Sequence, residues 1–273
     1  MKRIANTIRD IKEYPSALIG LSIIMILIAV SIFAVIYMPY HRAIALWKGA
    51  DNIWMDNPRN ASPAWVNLLP GINIPETIVV DSAGQPGIKT ITPIAAETKT
   101  VDFRLGFDYT YGEFPKEINI FFTAQYEEIP PHLDLIWHTP DGRSISLDSQ
   151  TPKHSSTYRV SQSSRLQRRT GGLTPHIGLL AKPGSKPEVP LQGKYELEIQ
   201  GLTFEEAADF EVKLVVYGHV HGLAGTDHLR RDLLVALLWG TPIALAFSLV
   251  AAVGTTIFGQ IFAAIGVWYG GWL

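Results

Sequence analysis

Two long stretches of this chain carry no charged residue, and the polypeptide between them alternates between apolar and polar positions. The first stretch, Leu18 to Met38, holds about 21 residues, which as a helix cover roughly 31 Å, the thickness of a bilayer core. It closes on Phe33-Ala34-Val35-Ile36-Tyr37-Met38-Pro39-Tyr40. That ending supplies an aromatic girdle and a poor cleavage site, so the segment reads as a retained anchor rather than a signal peptide. The second stretch, Leu233 to Tyr269, is too long for one straight crossing. Charges beside its first leucines (Asp227, Arg230, Arg231, Asp232) predict an amphipathic lead-in along the interface. Gly240 and Pro242 then predict a break, because proline lacks a backbone donor and crowds the preceding turn. A crossing over 242–268 follows.

Between these stretches the strand period replaces the helical one. Thr100 to Phe107, Glu117 to Phe122, Leu133 to Trp137, Ser144 to Leu147, Tyr195 to Ile199 and Phe210 to Tyr217 all predict short strands. Pro140-Asp141-Gly142-Arg143 is a turn between two of them. The expected fold is therefore two transmembrane helices flanking an all-β sandwich, Ig-like or jelly-roll in kind. Residues 39–72 form a Trp-rich lead-in with a short amphipathic piece around Ala43 to Trp47, and the sandwich is expected over 73–217. Residues 148–190, rich in Ser, Thr, Arg, Gly and Pro, read as long exposed loops.

The second apolar segment differs in texture from the first. Ala251, Thr255, Gly259 and Ala263 recur every four residues, as do Ala244, Ser248, Ala252 and Thr256. Such small-residue stripes let another helix approach closely. Gln260 places a lone amide deep in the segment, where an unsatisfied polar group is costly. These five positions (Ala251, Thr255, Gly259, Ala263 and Gln260) predict packing inside a larger bundle.

Charge fixes the direction of the first crossing. Lys2, Arg3, Arg9 and Lys12 precede it against only Asp10 and Glu13, which puts 1–17 in the cytoplasm and 39–232 outside the cell. A formal net charge of −2 gives no reason to expect a nucleic-acid partner. With no cysteine, the chain has neither a disulfide frame nor a thiol nucleophile. His219, His221 and His228 lie near one another in sequence, but no further ligand stands at a recognisable spacing, so no metal site is expected. The pairs Glu127-Glu128 and Glu205-Glu206 diverge as neighbours and do not cooperate as acid and base. The Ser/Arg stretch Arg159 to Arg169 reads as a solvated loop. No P-loop, nucleophile elbow or zincin motif is present, so no catalytic residue and no enzyme activity are expected.

Tyr14-Pro15-Ser16-Ala17-Leu18-Ile19-Gly20-Leu21, followed by the apolar run and Met38-Pro39-Tyr40, resembles the start of the dipeptide/oligopeptide/nickel class of ABC transporter permeases. In that family a Gly-Thr-Asp-x-x-Gly-Arg-Asp motif follows the first extracytoplasmic connection. This chain has Gly225-Thr226-Asp227-His228-Leu229-Arg230-Arg231-Asp232, then Leu234, Leu238, Trp239 and Gly240. Trp268-Tyr269-Gly270-Gly271-Trp272 is similar to the family's ending after the second helix, which implies that 269–273 return to the cytoplasm. The match covers about the first 40 and last 50 residues and leaves out the middle. Three departures stand out: Arg230 replaces the usual glycine, Thr241-Pro242 replaces an arginine-serine type pair, and the β-domain is an insertion. The chain also ends before the remaining permease helices and the cytoplasmic E-A-A loop, so it reads as the N-terminal part of a longer permease.

The resemblance implies an inner-membrane, multi-pass subunit of an ATP-driven importer for peptides or similar small solutes. Its expected partners are a second permease subunit, cytoplasmic ATPase subunits, an extracytoplasmic solute-binding protein and the lipid bilayer. ATP would be bound by the ATPases, so no cofactor is expected on this chain. Gly225, Thr226, Asp227, Arg231 and Asp232 would shape the outer mouth, and the motif with its lead-in would occupy 218–241. The inserted β-domain would dock the binding protein or cap the outer gate. The competing reading is a membrane-anchored β-sandwich that binds or senses a ligand without transport.

Overall fold

In the computed structural model, residues 15–48, 53–85, 87–95, 98–186 and 188–270 are described. The basic N-terminal segment and the Gly271-Trp272 ending therefore lie outside the described residues. The fold is two long apolar helices that flank, in sequence, a two-sheet antiparallel β-sandwich. It divides into two compact units, one built from the helices and one spanning Trp54–Asp232.

The helical unit holds α1 (Pro15–Tyr37), α2 (Tyr40–Trp47) and α5 (Leu233–Trp268). Two of its stretches, Leu18–Tyr37 and Leu233–Trp268, are long and apolar enough to cross a membrane. Pro39 separates α1 from α2: it has the extended backbone of a helix N-cap (φ −54°, ψ 145°) and lacks the N–H that continuation would require. The expected break at Gly240 and Pro242 does not occur, because α5 runs through both positions without interruption. A proline removes one hydrogen bond but need not end a helix whose neighbouring groups re-satisfy the backbone. The neighbouring Thr241 hydroxyl donates to the Leu237 carbonyl at 2.8 Å. At about 1.5 Å per residue, α5 is roughly 54 Å long, well beyond the bilayer core. A separate interfacial helix is thus replaced by the first turns of α5 itself.

Alongside one another, α1 and α5 share a groove lined by Ile24 and Leu27 on one side and Ala244, Leu245 and Ser248 on the other. Trp239 ties the helix entry together. Its indole donates to the Met38 carbonyl at 3.0 Å and its ring lies 5.2 Å from that of Tyr40.

The sandwich unit contains β1 (Ile78–Asp81), β2 (Lys89–Pro93), β3 (Lys99–Tyr109), β4 (Glu117–Gln125), β5 (His132–His138), β6 (Ser144–Ser146), β7 (Ser155–Arg159), β8 (Gly193–Thr203) and β9 (Asp209–Tyr217). One sheet has the order β1-β9-β4-β7 and the other β2-β3-β8-β5-β6, with every pairing antiparallel. Side chains on alternate positions point to opposite faces of a strand. Val101, Phe103, Leu105 and Phe107 of β3 accordingly meet Ile118, Ile120 and Phe122 of β4 in one buried core, joined by Trp137, Leu197 and Leu214. Phe103 and Phe210 bring the two sheets together at 5.0 Å between ring centroids. Gly201 is required there, since a Cβ on it would lie 2.3 Å from the Phe210 ring.

The 148–190 region is not the run of loops that its composition predicts. It contains β7, a short helix α3 (Ser164–Arg169) and α4 (Pro175–Leu180). Val160, Leu166, Leu179 and Leu180 enter the core, and these four apolar anchors are what turn a polar stretch into structure. Ser163 caps α3 by accepting from the Leu166 N–H, and Asp148 holds Arg165 at 3.2 Å and the Ser163 hydroxyl at 2.9 Å. Within the Ser/Arg stretch Val160 and Leu166 are buried, while Arg159, Arg165, Arg168 and Arg169 stay exposed, so the stretch is partly helical and its charges face solvent as expected.

Candidate functional site

The Gly-Thr-Asp segment forms a turn that the lead-in wraps from the other end of the sandwich unit. Gly225 has φ +77°, and a Cβ on it would stand 2.2 Å from the Ala61 carbonyl, so the backbones approach as closely as only glycine allows. Thr226 is buried. Its hydroxyl donates to the Pro58 carbonyl at 2.6 Å and accepts from the Ala61 N–H at 3.0 Å. Its own N–H donates to the Ala61 carbonyl at 3.0 Å, and an isolated antiparallel bridge pairs Thr226 with Asp232.

Asp227 organises the rest of the turn. One carboxylate oxygen accepts from the Leu229 and Arg231 N–H groups, both at 2.9 Å. The other receives the Arg231 guanidinium, with Nε at 2.7 Å. Burial alone would raise the Asp227 pKa, but the Arg231 hydrogen bonds and the two backbone donors outweigh it and hold the carboxyl below its ordinary range. With both oxygens engaged internally, Asp227 shapes the turn and is not positioned to shuttle protons.

Arg230 occupies the position where the resembled motif has glycine, and its backbone is left-handed, with φ +67°. For a bulky residue this conformation costs about 1–3 kcal/mol and persists only when the surroundings over-determine it. Here they do. The guanidinium is buried, donates to the Asn57 carbonyl and to Glu117 on β4, and lies 4.1 Å over the Tyr217 ring. Asn57 returns a bond from its amide to the Arg230 carbonyl at 3.1 Å. The side chain thus rivets the motif to the sandwich, an arrangement that a glycine would not make.

All five motif residues named from sequence, Gly225, Thr226, Asp227, Arg231 and Asp232, come together in this turn. Sequence reasoning missed Arg230, Glu117, Asn57 and Tyr217 as a unit. Nothing in sequence singles out Glu117, more than a hundred positions from Arg230.

The remaining named residues are placed elsewhere. Ala251, Thr255, Gly259, Ala263 and Gln260 all lie on the exposed surface of α5. The four-residue spacing is present, and at Gly259 a Cβ would meet nothing within 4 Å. Ala244 and Ser248, from the second stripe, do face α1. His219 follows β9 and pairs its Nε2 with the Phe114 carbonyl at 2.9 Å, while burial lowers the His221 pKa against the opposing attraction of Asp232. Among the described residues no group of three metal-binding side chains converges. Glu205 uses its carboxylate to accept from the N–H groups of Glu127, Glu128 and Ile129 at 2.7, 2.7 and 2.6 Å, which closes a loop at the sandwich edge. A chain from Ser144 through His138 to Glu198, at 2.9 and 2.7 Å, pins β6, β5 and β8 side by side.

The chain matches none of the protein families and none of the curated proteins with which it was compared. Among solved structures, it is similar to TmCBM61 in complex with β-1,4-galactotriose, at 6% identity over 52% of this chain and 86% of the other, with a TM-score of 0.24. A carbohydrate-binding module from the β-sandwich superfamily is similar over 59% of this chain and 62% of its own, at 12% identity and a TM-score of 0.24.

Proposed function

We propose that this chain is the N-terminal part of a permease subunit of an ATP-driven importer for peptides or similar small solutes. The observation that carries the reading is the left-handed backbone at Arg230. The resembled motif has glycine at that position, and the backbone adopts the conformation that glycine favours although the residue is arginine. Gly225 is also left-handed and permits the close approach described above. The turn therefore has at Arg230 a backbone that a glycine would adopt without strain, and it lies immediately ahead of a helix long and apolar enough to cross a membrane. Further support comes from the small residues at four-residue spacing on the exposed surface of α5, a pattern suited to another helix.

In this reading α1 and α5 are the first two crossings of a multi-pass inner-membrane protein, and the sandwich stands on the extracytoplasmic side. It docks a solute-binding protein or caps the outer gate. The turn sets the outer mouth, with Asp227 and Arg231 closing it and Arg230 fastening it to the sandwich.

The test is affinity isolation of the tagged native gene product from its own membranes in mild detergent. Recovery of a second permease subunit and P-loop ATPases, with ATP hydrolysis stimulated by a solute-binding protein, is the expected result. Recovery of this protein with no ATPase would overturn the proposal.

A further inference from the structure

Residues 60–75 and 214–226 contain no Asp, Glu, Lys or Arg, and in the sandwich unit these two segments are laced together. Ser62 N–H donates to the His219 carbonyl, His221 N–H to the Ser62 carbonyl, and Ala64 N–H to the Gly222 carbonyl, each at 2.8 Å. The surface they form is held as one piece. A single 3₁₀ turn, Ala64–Leu68, projects from it. With three residues per turn, positions i and i+3 eclipse, so Trp65 and Leu68 share a side. The Trp65 indole donates to the Leu223 carbonyl at 3.2 Å, which sets the two residues beside one another. These three side chains are 52%, 84% and 68% exposed. Large apolar residues held this open beside one another are the kind of feature that marks an interaction surface.

We propose that Trp65, Leu68 and Leu223 seat in the interfacial layer of the outer leaflet. The inference rests on the reading of α1 and α5 as membrane spans. The chain itself supplies the argument for lipid as the occupant. Asp232 is joined directly to Leu233, the first residue of α5. Leu223 lies about ten residues earlier, so even a fully extended chain holds it within roughly 35 Å of the helix start. The turn at 225–231 folds back through the Thr226–Asp232 bridge and shortens that reach. The patch chemistry also suits this layer. A tryptophan whose N–H is already satisfied, beside leucines and free of formal charge, combines an apolar body with a neutral polar edge.

The absence of cysteine allows a unique label at any position. The 273-residue chain, reconstituted in liposomes as Leu68→Cys, Leu223→Cys, Ile91→Cys or Phe247→Cys, is labelled with nitrobenzoxadiazole. Each sample is quenched either by aqueous iodide or by lipids spin-labelled near the headgroup. Ile91, exposed on β2, reports water, and Phe247, exposed on α5, reports the span. Labels at 68 and 223 should be quenched by shallow lipid spin labels and be at least about fivefold less open to iodide than the label at 91. If 68 and 223 match 91 while 247 is shielded by lipid, the patch proposal fails and the span reading stands. If 247 is itself open to iodide, the span reading fails and takes the proposal with it. Shielding of 68 and 223 from iodide without lipid quenching would mean protein cover, and would also overturn the proposal.

Discussion

Phe103 in the sandwich and Phe247 on α5 are the same residue type in opposite circumstances. The first is fully buried and touches Phe210 across the core, whereas the second is 75% exposed on its helix. This contrast holds for the two units as wholes. Trp137, Tyr195, Leu197 and Ile120 are sealed inside the sandwich, while Val250, Phe258, Phe262 and Val267 stand outward along α5. In water the sandwich hides its apolar surface by itself, from residues spaced two apart on facing sheets. The helical unit leaves most of its apolar surface open, which is stable only where lipid or further helices supply the apolar medium. The sandwich core is therefore an internal property of the chain. The environment completes the helices.

The largest effect should come from truncating each phenylalanine in turn. Phe103→Ala removes a ring from a packed core and should cost about 3–5 kcal/mol. The matched change Phe247→Ala should leave unfolding of the sandwich within about 0.5 kcal/mol of the parent. Urea unfolding of the detergent-solubilised chain, followed by tryptophan fluorescence, measures both. A comparable loss from Phe247→Ala would mean that the two units share stability and would break the comparison.

Next in size is Arg230. Its replacement by glycine relieves the left-handed strain but leaves Glu117 without its buried guanidinium and empties the space over Tyr217. Breaking a pair this buried outweighs the relief, so Arg230→Gly should lose about 2–3 kcal/mol. Adding Glu117→Gln removes the stranded charge and should recover about 1 kcal/mol of that loss. A stabilised Arg230→Gly would show instead that the backbone conformation dominates and that the riveting contacts contribute little.

Legibility in the sequence follows the same division. The strand β3 announces itself because Val101, Phe103, Leu105 and Phe107 alternate against polar neighbours, and all four enter the core. The edge strands β2 and β7 do not. Lys89–Pro93 and Ser155–Arg159 bury little apolar surface and owe their form to pairing with β3 and β4, which only the folded partner supplies. In α3 and α4 each helix has six residues, too few to display a 3.6-residue period, so Leu166 and Leu179 look like isolated leucines in a polar run. Pro242 misleads in the other direction, as a breaking signal inside a helix that continues. At the site, Gly225, Thr226 and Asp227 are legible as a motif, but the acceptors for Thr226 at Pro58 and Ala61 lie far upstream. No local pattern encodes such contacts.

Asp227 gives a smaller, pH-dependent effect. Its carboxyl is held below the ordinary range in the folded chain, so its contribution is present above the unfolded pKa of about 3.9 and is lost as pH falls through the lower folded value. Charge-assisted bonds of this kind contribute about 1–2 kcal/mol. Asp227→Asn should therefore lower stability at pH 7 by that amount and narrow the gap from the parent as the solution is acidified below pH ~4. Thermal unfolding at a series of pH values tests the sign. A gap that widens on acidification would contradict the hydrogen-bond account of the turn.

The smallest effect separates the two small-residue stripes of α5. Ala244 and Ser248 line the groove against Ile24 and Leu27 of α1, whereas a Cβ on Gly259 would meet nothing within 4 Å. Enlarging Ala244 to leucine should push the helices apart, and enlarging Gly259 should not. Oxidative cross-linking of Leu27→Cys with Leu245→Cys in liposomes reads the pairing directly. Ala244→Leu should slow it by roughly threefold, matching about 0.6 kcal/mol, the size common for single side-chain interactions between membrane helices. Gly259→Leu should leave the rate unchanged, because a side chain there enters open space. Equal slowing by both would mean that α1 packs along the Gly259 row, leaving no open stripe for a further helix and removing one support of the permease reading.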